Sequence, residues 1–385
     1  MQDSESMELA RRALHHLNNR TTDQADSVMR VPAASYTDPA IYRREVNRLF
    51  EQLPLALAFS VELPGPQTYR AMTVMGIPIL LVRAEDSQVR AFINVCKHRG
   101  SQLCKPGHGT ARRLVCPYHA WQYDLHGKLQ GVYGAATFGE IDPEANSLTE
   151  LHCTERAGLI WATVTPGVAF DIDEWLGPMA QQLLFADLGN WHIHVQREFC
   201  GPGWKTAWDG YLESYHHSIV HGGSLAKYTV GNLVVHDTYG YHQRMVFGRR
   251  TLESLNQLPD NQWDPDEHIR RVFHMFPNVA ISVVLGNYCL VNQIFPGATQ
   301  ETSVTRQTIL AVRKPETDEE RQLADEFAET TIRAIRDEDY PINFTVQESL
   351  KSGRQDCVLF GRNEPALQHF HRTIAHFMED LQGSV

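Results

Sequence analysis

Several features that would place a sequence in a common functional class are missing from these 385 residues. The net charge of −11 provides no basic surface for a nucleic-acid backbone. The longest clean apolar run, at 77–82, is far too short to span a bilayer. Residues 1–20 are polar and lack the apolar core of a signal peptide. These absences predict a soluble cytoplasmic protein.

Cysteine is also sparse, and several redox and hydrolase motifs are absent. Seven cysteines occur, an odd number, and most are scattered without framework spacing, so a reducing compartment is expected. The sequence has no Gly-x-Gly-x-x-Gly fingerprint for NAD or FAD and no cysteine quartet of the plant-type ferredoxin kind. It also lacks the His-Glu-x-x-His motif of zinc hydrolases. Any electrons that the protein uses must therefore come from another protein.

One stretch does concentrate metal-ligating residues, in the pairs Cys96-x-His98 and Cys116-x2-His119. Each pair mixes a thiolate with an imidazole, whereas zinc sites usually present Cys-Cys or His-His pairs. The mixture suits a [2Fe–2S] cluster in which both Cys bind one iron and both His bind the other. Neutral imidazoles lower the negative charge on such a cluster, which then accepts an electron more readily. A small structural zinc knuckle is the alternative.

The periodicities predict two domains behind a helical N-terminal segment. Residues 1–53 contain two helices separated by a loop at 21–37. Residues 54–165 form short strands broken by Gly and Pro, an all-β module that presents both Cys/His pairs on loops after strands. Residues 166–385 mix strands and helices. The N-terminal segment is expected to pack on this second domain.

Individual signals mark the helices more closely. Asp38 is an expected N-cap, with Pro39 at the first helical position. A helix is predicted at 175–186. A longer one spans 316–350, with Pro341 as an interruption or kink.

A second group of ligating residues comprises three histidines and a glutamate within nine positions: Glu213, His216, His217 and His221. His217 and His221 are four apart and would share a helix face. His216 and His221 are five apart, about 140° around a regular α-helix. Helical geometry alone favours His217 with His221. A π-bulge, or a helix end before the two glycines at 222–223, would bring His216 and His221 together.

One recurring type of mononuclear iron site combines two histidines with one carboxylate. Asp339 is the candidate, because it falls on an apolar stripe of the predicted C-terminal helix, whereas Asp337 and Glu338 do not. The stripe consists of Ile332, Ile335, Ile342, Val346 and Leu350. A carboxylate on such a face is costly unless it is paired or bound to a metal. A solvated acidic run is the alternative.

Together these motifs resemble those of Rieske non-heme iron oxygenase α subunits, over roughly residues 40–355. The two Cys/His pairs match the Rieske motif, including Arg99-Gly100 and Trp121. The family pattern (Asp/Glu)-x3-(Asp/Glu)-x2-His-x4-His is matched by Asp209, Glu213, His216 and His221. Asp339 precedes Gln347 by eight residues, as in the family's C-terminal helix. The resemblance thus selects His216 with His221 and implies that Glu213 and Asp209 are catalytic acids.

The resemblance implies an α+β fold. It joins a small all-β Rieske [2Fe–2S] domain to a helix-grip (START/Bet v 1-like) catalytic domain with an antiparallel sheet and a long C-terminal helix. Mononuclear Fe(II) would be held by His216, His221 and Asp339. A homotrimer is implied, with a β subunit left open, and electrons would come from NAD(P)H through a separate reductase, with or without a ferredoxin. Glu213 would link His119 of one subunit to His216 of the next.

The implied activity is O2-dependent hydroxylation or oxidative dealkylation of a small organic substrate, aromatic or N-methylated, with aromatic hydrocarbon catabolism as one setting. Glu213, where the family usually has Asp, is shared with the choline and carnitine monooxygenase branch and favours monooxygenation. The strand-rich segment 272–295 is expected to line the pocket or to pack behind it, through Phe273, Met275, Phe276, Val283, Leu285 and Tyr288. Basic residues near the cluster are candidates for docking an acidic partner, or form a solvated rim: Lys97, Arg99, Lys105, Arg112 and Arg113.

Two other classes stay open. A Rieske electron-transfer protein with a non-catalytic binding domain would leave His216, His221 and Asp339 without a metal. A zinc hydrolase would place zinc at that second site, although its usual motif is missing.

Overall fold

The computed structural model describes residues 2–184, 188–284 and 287–379. It divides into two units, of which one comprises Leu49–Trp175 with Asp187–Asn190. The other comprises the described parts of Met1–Arg48, Leu176–Ala186 and Trp191–Val385. The expected α+β class, with a small all-β module and a larger mixed unit, is confirmed. Within the described ranges, no helix is long and apolar enough to cross a membrane.

The all-β unit consists of short antiparallel sheets, because Gly, Pro and turn residues interrupt its apolar runs every few positions. One described sheet has the strand order Glu150–Leu151, Val89–Ile93, Ile77–Arg83, Thr68–Val74 and Gly107–Thr110. A second has the order Cys153–Arg156, Leu159–Ala162 and Leu55–Phe59. A third joins Leu114–Val115, Gln122–Tyr123 and Leu129–Gly131. The short strands predicted over 54–165 are therefore confirmed.

A single antiparallel sheet forms the centre of the larger unit. Its described strands run in the order His192–Pro202, Thr302–Ala311, Tyr288–Pro296, Val279–Val284, Ile269–Met275, His242–Arg249 and Thr229–Tyr239. Arg270 lies opposite Phe247, and Val272 lies opposite Ser282. Since alternate residues of a strand share a face, these four side chains belong to one face of the sheet.

Helices surround this sheet, and several begin and end at signals readable in the sequence. Asp38 caps the helix Pro39–Glu45 by accepting bonds from Ala40 N at 2.6 Å and Ile41 N at 3.4 Å, as predicted. The α-helices of this unit are Gln2–Asn19, Ala34–Thr37, Pro39–Glu45, Met179–Leu183, Trp204–Tyr211, His217–Val220, Pro265–His268, Asp318–Ile332, Tyr340–Lys351 and Pro365–Met378.

Two local predictions were wrong. The segment 21–37 is not simply a loop, because Met29–Pro32 pairs with the distant strand Cys357–Phe360. Such a pairing supplies hydrogen bonds that local composition cannot reveal. The helix predicted at 175–186 is split, in its described part, into Ile172–Leu176 and Met179–Leu183 around Gly177.

The C-terminal helix also departs from regular geometry. It runs as α-helix over Asp318–Ile332, as π-helix over Arg333–Asp339 and again as α-helix over Tyr340–Lys351. Pro341 lacks an N–H donor, so the regular bond pattern cannot continue through it. Asp339 is the last residue of the π segment. The apolar stripe predicted for this helix is not a continuous buried face beyond this point, since Ile342 and Val346 are exposed.

A buried ion pair ties the N-terminal segment to the helix Trp204–Tyr211. Lys205 Nζ bonds both carboxylate oxygens of Glu45, and both side chains are almost fully buried. Burial raises the pKa of Glu45 and lowers that of Lys205, while their mutual attraction opposes both shifts. The pair holds the helix from which the chain continues to Glu213 and His216.

Removing one member of this pair is expected to destabilise the larger unit strongly. Lys205→Met leaves a buried carboxylate without its cation and should cost about 3–5 kcal/mol. The double variant Lys205→Met/Glu45→Leu should recover much of that loss, because no charge then remains uncompensated. Urea unfolding followed by circular dichroism measures both. A double variant as unstable as the single one would contradict this account.

Candidate metal centres

The Cys/His loops of the all-β unit share one backbone turn. In the first loop, Gly100 N donates to Cys96 O at 3.0 Å and Cys96 N donates to Ser101 O at 2.8 Å. The second loop repeats both bonds, at 3.0 and 2.8 Å, through Ala120 N to Cys116 O and Cys116 N to Trp121 O. The closing residues Gly100 and Ala120 both have positive φ, 77° and 53°. Each turn therefore presents its cysteine and histidine from one tight loop.

The two thiols lie in the hydrophobic core of this unit. Cys96 and Cys116 are 2% and 3% exposed. Burial raises the pKa of Cys96. Burial acts the same way on Cys116, but backbone N–H groups of Tyr118 and His119 outweigh it and lower the pKa of that thiol. Backbone donors that point at a sulfur stabilise its thiolate, which is the form that binds iron.

The two imidazoles lie beside each other, with ring centroids 4.7 Å apart. His98 and His119 each have a buried Nδ1 atom without a hydrogen-bond partner among the described residues. Trp121 stacks on His98 at 5.1 Å, and Tyr123 Oη lies 3.4 Å from Cys96 Sγ, so both shield this end of the unit. Two buried thiols and two orphaned ring nitrogens form the donor set of a Rieske [2Fe–2S] cluster.

In the larger unit, a one-turn helix brings His216 and His221 together. The helix spans only His217–Val220, with His216 at its N-cap and His221 at its C-cap. The helix therefore ends before Gly222 and Gly223, which is one of the two arrangements that would bring His216 and His221 together. His216 Nε2 lies 3.2 Å from His221 Nε2.

A carboxylate bonds the Nδ1 atom of each of these histidines, on the side of the ring away from Nε2. Glu213 Oε1 bonds His216 Nδ1, and Glu213 Oε2 accepts from His216 N at 3.1 Å. Glu338 Oε2 bonds His221 Nδ1 at 2.8 Å and accepts from Ser224 Oγ at 2.5 Å. A carboxylate on Nδ1 holds the proton there and leaves Nε2 free to bind a metal. Both Nε2 atoms are thereby directed to the same point.

Asp339 completes this group from the π segment. Its Oδ1 lies 3.1 Å from His221 Nε2 and 3.5 Å from His216 Nε2. Metal bonds of about 2.1 Å at right angles place neighbouring ligand atoms about 3 Å apart. Burial raises the pKa of Asp339. These three residues therefore fit a mononuclear iron with two His and one carboxylate on one face.

His217 is a competing third ligand. The ligand atoms of His216, His217 and His221 lie within 4.8 Å of one another. Asp339 is the better choice, because its oxygen lies at ligand spacing from both Nε2 atoms and supplies the negative charge that iron requires. Burial lowers the pKa of His217 well below its usual value, and its Nδ1 atom has no partner in the described structure.

Asp209 lies on the helix Trp204–Tyr211 and contacts neither ligand histidine directly in the bonds observed. Its Oδ2 accepts from Tyr36 Oη at 2.7 Å, and its Oδ1 bonds His371 Nε2 at 2.8 Å. It lines a 240 Å³ cavity together with Glu213, His216 and Asp339. Asp209 is thus placed to support the site through a polar network.

A separate small chamber of 70 Å³ lies on another side of the His-His-Asp group. Its walls include the three ligand residues and one face of the central sheet, namely Phe247, Arg270, Val272, Ala280, Ser282, Leu290 and Asn292. The chamber adjoins a larger 610 Å³ cavity, since Leu225, Arg270, Ser282, Leu290 and Thr331 line both.

Segment 272–295, which was expected to line the pocket or to pack behind it, does both. Of the residues named for it, Tyr288 lines the larger cavity. Phe273 and Met275 alternate with the lining residue Val272, and Phe276 stacks on Phe377. Leu285 lies outside the described residues. Sequence reasoning also missed Glu338 and Arg270. Glu338 falls off a regular helical stripe, but the π segment changes the register and turns it towards His221.

Comparison with protein families agrees with this arrangement. The model of the Rieske [2Fe-2S] domain matches residues 54–141. The model of the ring hydroxylating alpha subunit (catalytic domain) matches residues 186–380, half of the chain.

Relatives match along most of the chain. The carnitine monooxygenase oxygenase subunit of Escherichia coli (strain K12) is 28% identical over 91% of this chain and 94% of its own length. The glycine betaine monooxygenase oxygenase subunit of Chromohalobacter salexigens is 25% identical over 77% and 78%. These relatives give no support for aromatic hydrocarbon catabolism.

Solved structures show the same fold. The quaternary ammonium Rieske monooxygenase CntA, in complex with an inhibitor, superposes with a TM-score of 0.80 at 25% identity, covering 92% of this chain and 96% of that one. Naphthalene 1,2-dioxygenase from Rhodococcus sp. has a TM-score of 0.73 at 16% identity, covering 98% and 99%. With its Rieske cluster loops and its His-His-Asp group, the chain belongs to the Rieske non-heme iron oxygenases, as an α-type subunit with a ring-hydroxylating catalytic domain.

Proposed function

We propose that this subunit is a monooxygenase component that hydroxylates or oxidatively dealkylates a small organic molecule at the site formed by His216, His221 and Asp339. The convergence of these three side chains, with mutual distances of 3.1–3.5 Å, is the observation that carries the proposal. Glu213, shared with the choline and carnitine monooxygenase branch, favours the transfer of one oxygen atom.

The reaction balances with a protein electron donor. One atom of O2 enters a C–H bond of the substrate and the other leaves as water, with two electrons and two protons consumed. When bound, the mononuclear iron supplies O2 activation and the cluster supplies single electrons. The chain's own residues fix the two imidazoles through Glu213 and Glu338 and confine the substrate to the small chamber.

Electron delivery is proposed to cross between subunits of a homotrimer. Glu213 bonds His216 and also lines the 240 Å³ cavity, whose rim includes the exposed apolar residues Ile342, Val346 and Leu359. This arrangement supports a role for Glu213 between His216 and the neighbour's His119. Large exposed apolar side chains around a polar centre are typical of an interface.

The electron source is proposed to be a separate cytoplasmic reductase that uses NAD(P)H, with or without a ferredoxin. Exposed basic residues in the all-β unit would favour an acidic partner, and all five of those predicted are exposed: Lys97, Arg99, Lys105, Arg112 and Arg113. The boundaries 54–165 and 166–385 are proposed for the Rieske and catalytic domains, with 1–53 as a helical segment of the latter.

The decisive test of function is turnover with O2, a surrogate reductase and a panel of aromatic acids and N-methylated amines, with product masses as the readout.

Iron content separates the oxygenase from the electron-carrier alternative. The reconstituted chain should hold about three irons, two in the cluster and one at the mononuclear site. Asp339→Ala should hold about two, with the cluster's absorbance unchanged, because one negative ligand is lost. Asp337→Asn, in which the neighbouring exposed acid is neutralised, should keep all three. Two irons in the unchanged chain would support the carrier, and zinc at the site would support the hydrolase.

Glu213→Gln tests the proposed electron route. The amide keeps the shape of the side chain but cannot hold the proton of His216 as a carboxylate does. Both metal centres should remain, while the rate of cluster oxidation in a single turnover falls about 10- to 100-fold. Stopped-flow absorbance of the pre-reduced protein, mixed with O2 and substrate, gives this rate. A rate like that of the unchanged chain would remove Glu213 from the route.

Mixed trimers test whether the route crosses subunits. Cys96→Ser should lack a functional cluster, and Asp339→Ala should lack the mononuclear iron, so each variant alone should be inactive. Coexpressed subunits should regain activity, because the cluster of an Asp339→Ala subunit then faces an intact site on a Cys96→Ser subunit. Two tags purify the mixed species. An inactive mixture, with both kinds of metal centre present, would indicate transfer within one subunit.

A further inference from the structure

A partly buried cation without a counter-ion lies in the wall of the small chamber. Arg270 makes no salt bridge or hydrogen bond within the part of the chain that the structure describes, and its Nε atom is buried. Its guanidinium lies over the ring of Phe247, 5.3 Å from the centroid. The residue lines both the small chamber and the larger cavity. Burial and the charge of Arg249 lower the pKa of Arg270 to about 10, so it remains charged at neutral pH.

A second arginine extends this positive region into the larger cavity. Arg249 lines the 610 Å³ space, and its Nη1 atom is buried without a partner among the described residues. Burial also lowers the pKa of Arg249, although the charge of Glu267 opposes this. Two cations in one cavity repel each other unless an anion lies between them.

Neutral hydrogen-bonding groups accompany Arg270 in the same chamber. Ser282 Oγ and the Asn292 side-chain oxygen are both buried and have no partner in the described structure. Their residues are only 6% and 3% exposed. Buried polar groups are normally paired, so these three groups, all on residues that line the chamber, are available to hydrogen-bond a polar ligand there.

The acids of the larger cavity do not neutralise these arginines. Glu320 is occupied as the capping-box residue of Thr317 and accepts from Arg313. Glu326 accepts from Gln322 at 2.8 Å. In the described structure, neither carboxylate pairs with Arg270 or Arg249.

We propose that Arg270, assisted by Arg249, binds a carboxylate of the substrate, so that the enzyme oxidises a small organic acid at an atom near that carboxylate. This inference rests on the proposed function, because it assigns the substrate class of the same site. Arg270 and the three iron ligands line a chamber of only 70 Å³, so few atoms separate the bound carboxylate from the oxidised position. Arg270 is a specificity residue here, since it holds the substrate and takes no part in the chemistry.

The same charge disfavours a quaternary ammonium group without a carboxylate. Such a cation would need an aromatic or acidic lining, whereas the chamber beside the ligands contains Phe247 and the cationic Arg270. A zwitterion remains compatible when its carboxylate lies on Arg270.

Binding to the reconstituted full-length protein, without reductase or NADH, tests this inference. Benzoate and benzamide have similar shapes and differ in charge. Calorimetry should show benzoate binding at least 10-fold more tightly than benzamide, and choline should not bind. Arg270→Gln should weaken benzoate binding about 10- to 100-fold, as expected for loss of hydrogen bonds to a charged group, and should leave benzamide unchanged.

Arg271→Gln is the matched control. It removes the adjacent arginine of the same strand, which bonds Asp266 and does not line the chamber, and it should not change benzoate binding. The melting temperature and cluster absorbance of each variant report whether it has folded. Ligand-free Arg270→Met should melt at a temperature about 2–4 °C higher, because a partly buried cation without a partner is removed.

The outcomes separate this inference from the proposed function. Equal binding of benzoate and benzamide, tighter binding of choline, or benzoate binding that survives Arg270→Gln would each overturn the carboxylate site, whatever turnover shows. The comparison of benzoate with benzamide needs no variant and decides the point if Arg270→Gln fails to fold. Arg270-dependent benzoate binding in a protein that transfers no oxygen to any compound of the panel would retain the site and overturn the oxygenase function.

Discussion

The catalytic unit depends on one constraint: two imidazoles must direct their Nε2 atoms to the same point while buried. Glu213 and Glu338 satisfy it by bonding the Nδ1 atoms of His216 and His221, which lie at opposite ends of a one-turn helix. Without these carboxylates each ring could rotate or carry its proton on the other nitrogen. Asp339 then needs only to lie about 3 Å from both Nε2 atoms, which the π segment achieves. The irregular backbone of the π segment thus places Asp339 beside the two histidines.

The surrounding fold restricts the movement of these elements. The helix Trp204–Tyr211, which leads to Glu213, is tied to the N-terminal segment by Lys205 and Glu45. Asp209 on that helix is further bound to Tyr36 and His371. A buried polar network whose groups are all hydrogen-bonded rigidifies its surroundings. The site is therefore built on a helix whose position is set by bonds to both ends of the chain.

Much of this arrangement follows from the sequence, and the failures have physical causes. The cluster ligands, His216, His221 and the fold class follow from residue spacing together with family resemblance. Asp339 lies beside the histidines, although the stripe used to select it breaks at Ile342 and Val346. A period of 3.6 residues cannot anticipate a π segment, so Glu338, which falls off the regular stripe, was not recognised as a partner of His221. Arg270 gave no local signal, because its significance depends on strand pairing that brings it opposite Phe247. Periodicity reveals faces, but only tertiary structure reveals which charged residue on a face lacks a partner.

Charge is distributed unevenly around the chamber, with carboxylates on the metal side and Arg270 in the wall. Three carboxylates, Glu213, Glu338 and Asp339, surround the histidines, so negative charge is concentrated on the metal side. Arg270 lies in the wall of the same chamber, and no described carboxylate pairs with it. Bound Fe(II) offsets two of these three negative charges, whereas the guanidinium has no described counter-ion, so it attracts the anionic end of an entering molecule. A cation that lacks a partner in the empty protein would in this way give the bound substrate one orientation.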